Sequence, residues 1–150
     1  MLTGSDKGVL KKIKSLIKDL NLDTKVIYLG FVPRELVGTL YSKAFALVYP
    51  SFFGPDNIPP LEAMSYGTPA LVADVPGSTE QYGDAVLRFN PNNPIEIAEC
   101  IDQLSKDLAM RNQLINLGFK LVKQLTPSEY VNCVERELCR QKIALQCANL

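Results

Sequence analysis

Residues 45–73 decide the predicted fold, and their sequence is FALVYPSFFGPDNIPPLEAMSYGTPALVA. The nearly continuous apolar run at 45–50 is typical of a strand buried on both faces of a parallel sheet. Two prolines at 59–60 mark the start of a helix that ends at Gly67, and a second apolar strand follows at 69–73. This order of strand, loop, helix and strand predicts a parallel α/β fold with a ligand site in the loop after the first strand.

The same alternation continues in both directions from this stretch. Further strands are predicted at residues 25–29 and 85–89. Helices are predicted at residues 6–20 and 33–44, at a short segment within 74–83, and from 94 onward with breaks near Gly118 and at Thr126-Pro127. Alternation about every 20–25 residues is the pattern of a doubly wound, Rossmann-like parallel sheet. Without internal repeats or linkers, residues 1–150 are predicted to form one domain.

Charge and histidine content exclude several classes of function. Sixteen basic residues balance sixteen acidic ones, so no overall field attracts nucleic acid, and we expect no nucleic-acid partner. The chain has no histidine, which removes the commonest general base and metal ligand. Chemistry must therefore use carboxylates, cations, backbone donors or the substrate itself.

Cysteine spacing and hydropathy predict a cytoplasmic protein. The four cysteines form no C-x-x-C pair, which favours reduced thiols over disulfides or a zinc site. They are Cys100, Cys133, Cys139 and Cys147. No apolar run approaches the ~18–20 residues of a membrane span, and the N-terminus has no apolar signal core. The lysines of the amphipathic helix 6–20 form either a solvated face or a contact with a membrane surface that carries a lipid-linked acceptor.

The loop at 51–58 and the helix after it have the features of an anion site. A helix start offers free N–H groups and a positive dipole end, which favour phosphate. Pro59 and Pro60 lack N–H groups, so the donors must come from Asn57, Ile58 and Leu61. Glu62, in the first turn, either accepts two vicinal hydroxyls, as ribose offers, or only complements the helix dipole; taken alone, the residue leaves both open.

Many short motifs occur here in an order that resembles the retaining, two-domain glycosyltransferases of family 4, the glycosyl transferases group 1 family of GT-B architecture. The resemblance covers roughly residues 2–130. Its motifs are Leu29-Gly30-Phe31-Val32, Glu35-Leu36, Leu40-Tyr41, Val48-Tyr49-Pro50-Ser51, Pro59-Pro60-Leu61-Glu62-Ala63-Met64, Gly67-Thr68-Pro69, Asp74-Val75-Pro76-Gly77-Ser78-Thr79-Glu80, Gly83-Asp84-Ala85 and Asn90-Pro91.

The resemblance implies transfer of a hexose, with retention, from a nucleoside diphosphate sugar to an acceptor hydroxyl. The donor would be linked to UDP, GDP or ADP, and polysaccharide or glycolipid synthesis is the expected setting. No cofactor is implied, and the architecture implies a metal-independent reaction. The helix start and basic residues would stabilise the charge of the diphosphate, which a divalent cation stabilises in metal-dependent enzymes.

Residue by residue, the resemblance assigns roles along the donor. Glu62 matches the second glutamate of the family's Glu-x7-Glu motif, which holds the ribose. Asn57 and Ile58 match positions whose backbone amides face the phosphate and sugar. Glu80 matches a position of less defined role, either a donor contact or a structural cap.

The nucleobase pocket would be lined by the loop after an earlier strand. Gly30, Phe31 and Val32 match this loop, and Ser51 is expected nearby.

One position departs from the family pattern. Gly54 occupies the place of the first glutamate, eight residues before Glu62. The role of that glutamate at the sugar passes to Asp56, to Asn57 or to no residue. Asp56 is therefore a hypothetical catalytic residue, and unchanged donor affinity and turnover in Asp56→Ala would exclude it.

The resemblance also predicts that part of the family's architecture is absent from these 150 residues. Residues 1–5 resemble the end of the donor domain's second strand. The preceding strand, the Arg and Lys that neutralise the diphosphate, and the N-terminal acceptor domain have no counterpart here. Because the leaving diphosphate needs stabilisation in place, we expect this chain by itself to bind nucleotide weakly and to be inactive.

Three other functions were compared with the glycosyltransferase prediction. A dinucleotide-binding oxidoreductase requires a G-x-G-x-x-G run, which the sequence lacks. A sugar-nucleotide epimerase of similar architecture usually relies on histidine, which the sequence lacks. A non-catalytic partner that uses the α/β domain only as an interaction surface remains open. Separately, the last helix, which carries Cys133, Cys139 and Cys147, is a candidate dimer or interdomain face, and its apolar stripe would favour self-association if exposed.

Overall fold

The computed structural model describes residues 1–53 and 57–148, with side chains described for 1–53, 57–136 and 138–140. The chain divides into two compact units, Met1–Leu40 and Tyr41–Leu150. Strands and helices alternate through both. The α/β class predicted from the sequence is confirmed, with all strand pairs parallel in the described residues.

The first unit contains a two-stranded parallel pair. Its elements are β1 (Leu2–Thr3), α1 (Leu10–Asp19) and β2 (Tyr28–Gly30), followed by the start of α2 (Arg34–Lys43). β1 pairs with β2, and the Tyr28 hydroxyl donates to the Gly4 carbonyl at 2.9 Å. α1 begins four residues later than predicted, because the Asp6 carboxylate accepts from the amides of Gly8 and Leu10 and holds a turn before the helix.

The second unit contains a three-stranded parallel sheet in the order β3-β4-β5. Its strands are β3 (Leu47–Tyr49), β4 (Ala70–Ala73) and β5 (Val86–Phe89). Its helices after α2 are α3 (Ile58–Ser65), α4 (Ser78–Tyr82), α5 (Pro94–Lys106), α6 (Leu108–Gln124) and α7 (Pro127–Ala148). Each strand lies inside its predicted range.

Apolar side chains of β4 form a core on each face of this sheet. Ala70 and Val72 belong to one buried cluster, which includes Met64 of α3 and receives side chains of α6. Leu71 and Ala73 belong to a second cluster, which receives side chains of α5 and also of α6. The period of two along a strand produces this division, and helices therefore cover both faces, as in a doubly wound sheet. β3, at the edge of the described sheet, is only half-buried rather than buried on both faces as predicted.

The predicted helix break near Gly118 is wrong. α6 continues through Gly118, and the break lies at Asp107, whose extended backbone ends α5 and whose side chain accepts from the Met110 amide at 2.8 Å. Gly118 is buried against α3, where an added Cβ would lie 2.9 Å from Met64 Cγ. The glycine therefore permits close approach of two helices and does not end one.

The last helix is largely solvent-exposed where its side chains are described. α7 begins at Pro127 as predicted, and Thr126 Oγ1 accepts from the Glu129 amide at 3.1 Å. Apolar Tyr130, Val134 and Leu138 are all exposed. The side chain of Cys147 lies outside the described residues. Among the helices that the structure describes, none has the length and apolar character required to cross a bilayer.

Candidate functional site

The loop predicted to bind a ligand follows the carboxyl end of β3. Ser51 begins it, and its hydroxyl donates to the Phe53 carbonyl at 2.9 Å, which turns the chain immediately after the strand. Phe53 is 87% exposed. Gly54 and Asp56, two of the predicted site residues, lie outside the described residues, so the catalytic role of Asp56 stays a hypothesis.

Asn57 directs the chain from this loop into α3. Its backbone is left-handed, with φ 45° and ψ 39°, and its side chain makes no capping hydrogen bond. Asparagine is one of the few residues that tolerate this region. The helix begins at Ile58, one residue before the predicted start, so Pro59 and Pro60 occupy first-turn positions where no intrahelical N–H is required. The Ile58 amide remains at the positive end of the helix dipole.

The Asn57 carbonyl accepts hydrogen bonds from α4. The Tyr82 hydroxyl donates at 2.7 Å and Gln81 Nε2 at 3.5 Å. Tyr82 is only 3% exposed, and burial, followed by the effect of Tyr49, raises the pKa of its phenol to about 12. The sequence analysis did not identify Tyr82, because a contact across 25 residues leaves no local pattern.

Glu62 is exposed and is contacted by Tyr41. It lies one turn into α3 and not in the first turn as predicted, because the helix begins one residue earlier than expected. The Tyr41 hydroxyl donates to Glu62 Oε2 at 3.2 Å, and the Ser65 hydroxyl donates to the Glu62 carbonyl at 2.6 Å. Burial is the main cause that raises the pKa of Tyr41 to about 12, and the neighbouring Glu62 carboxylate adds to it. Tyr41 therefore stays protonated at neutral pH and donates to the carboxylate.

Tyr41 itself is fixed by two further contacts. Its carbonyl accepts from the Thr68 hydroxyl, and its ring stacks on Tyr66 with centroids 6.1 Å apart. Leu40-Tyr41 is one of the motifs of the family resemblance, but the sequence alone indicates no role for Tyr41. A helix-turn position alone does not reveal which carboxylate a tyrosine will contact.

α4 is attached to the sheet by Arg88 of β5. The guanidinium donates to the carbonyls of Ser78 and Gly83, at 3.1 and 2.6 Å, near the two ends of the short helix. Glu80 is exposed in the first turn of α4. Both roles considered for Glu80, donor contact and structural cap, stay predictions.

The residues predicted to line a nucleobase pocket belong to the first unit. Gly30 ends β2 in the left-handed region at φ 66°, and its carbonyl accepts from the Gly4 amide at 2.9 Å. Phe31 is 81% exposed and Val32 is half-buried. Their role at a nucleobase stays a prediction.

The described part of the second unit thus places a helix start with free amides one turn before an exposed carboxylate. The amides suit a phosphate and the carboxylate suits hydroxyl groups. No group of three or more Cys, Asp or Glu side chains is arranged to hold a metal ion within the described residues. A doubly wound parallel sheet with such a site beyond its strand ends is the class of fold found in GT-B glycosyltransferases.

The chain belongs to the family described as glycosyl transferases group 1, which it matches over residues 2–121. It is 41% identical over 81 residues to the O-antigen chain mannosyltransferase RfbU of Salmonella typhimurium, covering 54% of this chain and 23% of that protein. It is 35% identical over 116 residues to the O-antigen chain mannosyltransferase B of Escherichia coli, covering 77% of this chain and 30% of that protein. The chain thus spans about a quarter to a third of the length of these relatives.

Solved structures confirm the GT-B relationship. The sucrose-phosphate synthase of Thermosynechococcus elongatus superposes with a TM-score of 0.77 and 27% identity, over 96% of this chain and 38% of that one. The HepE protein of Anabaena, in complex with UDP and glucose, superposes with a TM-score of 0.75 and 22% identity, over 99% of this chain and 40% of that one. At 22% identity the second match supports the fold alone.

The half-buried phenol of Tyr41 and the buried phenol of Tyr82 predict a loss of stability at alkaline pH. In the folded chain the pKa values of Tyr41 and Tyr82 are raised from 10.0 to about 12, so an unfolded phenol ionises first as pH rises. Their contribution is complete below pH 10 and is lost between pH 10 and about 12. We expect urea unfolding free energies to fall across that window. Tyr82→Phe should reduce the decrease of the unfolding free energy with pH, whereas Tyr130→Phe, at an exposed position, should not. An equal decrease in both variants would contradict the assignment to Tyr82.

Proposed function

We propose that the start of α3 binds the diphosphate and ribose of a nucleotide sugar. The observation that carries the proposal is the placement of the Glu62 carboxylate one turn after the Asn57 and Ile58 amides. Two amides at a helix start complement phosphate oxygens, and an exposed carboxylate complements two vicinal hydroxyls. The segment lies inside the part of the chain that matches the family.

The whole protein is proposed to transfer a hexose from this donor to an acceptor hydroxyl with retention of configuration. The O-antigen chain mannosyltransferases among the relatives favour mannose as the hexose and a growing glycan as the acceptor. Polysaccharide synthesis at the cytoplasmic face of a membrane fits such an acceptor. We propose residues 1–150 as the donor-binding domain of this enzyme.

No metal or cofactor is part of the proposed chemistry. The leaving diphosphate gains negative charge in the transition state, and amides already directed at it stabilise that charge without reorganisation. Gly30, Phe31, Val32 and Ser51 are proposed for the nucleobase end, and Gly54, Asp56 and Glu80 for the sugar end.

Titration with nucleotides tests this proposal directly. We expect one of UDP, GDP and ADP to bind the chain, and to bind on the order of tenfold more tightly than its nucleoside, because charge-assisted hydrogen bonds to phosphate each contribute about 1.5–3 kcal/mol. Isothermal titration or ligand-observed NMR gives both affinities. The preferred base identifies the donor class.

The same titration distinguishes the remaining alternatives. Absence of binding by all three diphosphates would contradict the proposed site and favour an interaction module. Conversion of a nucleotide sugar to its epimer without any acceptor would favour the epimerase alternative. Equal affinity for diphosphate and nucleoside would place binding away from the start of α3.

A further inference from the structure

Asn57 has a backbone conformation that needs support. Its φ of 45° lies in the left-handed region. This conformation is unfavourable for residues that have a Cβ, whereas glycine adopts it readily. The φ and ψ of Asn57 set the angle between its own amide and the planar peptide that contains the Asn57 carbonyl and the Ile58 amide at the start of α3. A contact that holds this peptide in place therefore also sets the directions of the Asn57 and Ile58 N–H groups.

The holding contact comes from a rigid part of the fold. Tyr82 lies in the buried cluster with Met64 and Val72, and only its hydroxyl reaches the Asn57 carbonyl, at 2.7 Å. The helix that carries it is tied to β5 by Arg88. The hydroxyl therefore belongs to a helix that is packed on the sheet and hydrogen-bonded to it, and it contacts the Asn57 carbonyl from there. As a phenol, whose pKa burial raises further to about 12, it is protonated at neutral pH and can donate.

We propose that the Tyr82 hydroxyl is a positioning group that holds the Asn57 peptide left-handed and thereby aims the Asn57 and Ile58 amides at the donor's diphosphate. This inference rests on the proposed function of the start of α3. Tyr82 itself does not touch the donor; it acts through the peptide. The role differs from core packing, because packing requires the ring and positioning requires the hydroxyl.

Tyr82→Phe separates these two roles, since it keeps the ring and removes the hydroxyl. The quantity to measure is the ratio of affinities for a nucleoside diphosphate and its nucleoside, using whichever of UDP, GDP and ADP binds the wild type. We expect this ratio to fall about three- to tenfold, the usual range for one neutral hydrogen bond, with nucleoside affinity unchanged. Tyr49→Phe is the matched control, because Tyr49 packs against the same cluster and is not a donor to Asn57 in the described structure.

A second pair of variants tests the conformation without disturbing the core. Asn57→Ala and Asn57→Gly both remove the amide side chain, but only glycine populates the left-handed region readily. If the conformation aims the amides, Asn57→Gly should retain a diphosphate-to-nucleoside ratio about tenfold higher than Asn57→Ala. Equal ratios in these two variants would overturn the proposal even if Tyr82→Phe does not fold.

The outcomes are distinct. A lower ratio in Tyr82→Phe together with a higher ratio in Asn57→Gly than in Asn57→Ala supports positioning. A wild-type ratio in folded Tyr82→Phe, or equal ratios in the two Asn57 variants, overturns it, while the proposed function stands. Absence of diphosphate binding by the wild type overturns the proposed function and, with it, the positioning role.

Discussion

Replacing Glu62 with alanine is expected to weaken binding of the ribonucleoside diphosphate by roughly 10- to 100-fold. A carboxylate that accepts from two ribose hydroxyls makes charge-assisted hydrogen bonds, but solvent weakens them at this exposed side chain. We therefore expect about 1.4–2.8 kcal/mol for the pair, where 1.4 kcal/mol is a factor of ten. The side chain is exposed on α3, so its removal should leave the fold intact. Isothermal titration of the wild type and the variant measures the change.

The assignment to ribose has its own control. A 2′,3′-dideoxynucleoside diphosphate offers no hydroxyls to Glu62, so wild type and Glu62→Ala should bind it equally. Glu99→Ala removes an exposed carboxylate from α5 and should change neither affinity. If Glu62→Ala weakened the dideoxy ligand as much as the ribonucleotide, the carboxylate would act on the phosphate or on the fold and not on ribose.

Glu62→Gln shows how Tyr41 contributes. Glutamine keeps the size of the side chain and an oxygen that can accept from the Tyr41 hydroxyl, but it removes the charge. We expect its affinity to lie between those of the wild type and Glu62→Ala. Because the Glu62 carboxylate is one of the causes that raise the pKa of Tyr41, titration of the phenol should give a lower Tyr41 pKa in this variant than in the wild type.

Local chemistry explains which elements were predictable. Proline fixes a helix start and glycine ends a helix within one or two residues, so α3 was placed to within one residue at its start. Apolar runs of four to six residues identified β3, β4 and β5, because strands that pack in a core are rich in apolar residues. The family's motifs then supplied the candidate donor contacts, whose roles the sequence alone left open.

Contacts between distant residues were not predictable. The hydroxyls of Tyr41 and Tyr82 meet Glu62 and Asn57 across 21 and 25 residues. No periodicity encodes such a pair, since each tyrosine is equally consistent with simple core packing. The structure therefore adds two hydrogen bonds to residues that the sequence had identified as candidate donor contacts.

Gly118 shows the same limit for the fold. A glycine in a helical pattern predicts a break on local grounds, because it costs about 1 kcal/mol relative to alanine in a helix interior. Here the close approach of Met64 outweighs that local cost, since any larger residue would separate α3 from α6.

Gly118→Leu is accordingly expected to lower the free energy of unfolding by about 3 kcal/mol, the upper part of the usual range for overpacking. The new Cβ would lie 2.9 Å from Met64 Cγ and 3.1 Å from Met64 Cβ, and the second of these atoms cannot swing away. Gly118→Ala meets the same Cβ clash but adds no atoms beyond Cβ, so its loss should be smaller. Urea unfolding of both variants gives the two values.

Because Asn57 precedes α3 directly and Glu62 lies one turn into it, displacement of the helix should also weaken nucleotide binding in Gly118→Leu. Asn116→Leu, at an exposed position of α6, adds the same side chain away from Met64 and should change neither stability nor affinity appreciably. A Gly118→Leu protein as stable as the wild type would mean that α6 can move away from α3 at little cost. Stability lost with affinity retained would mean that the donor site depends on α4 and the loop alone.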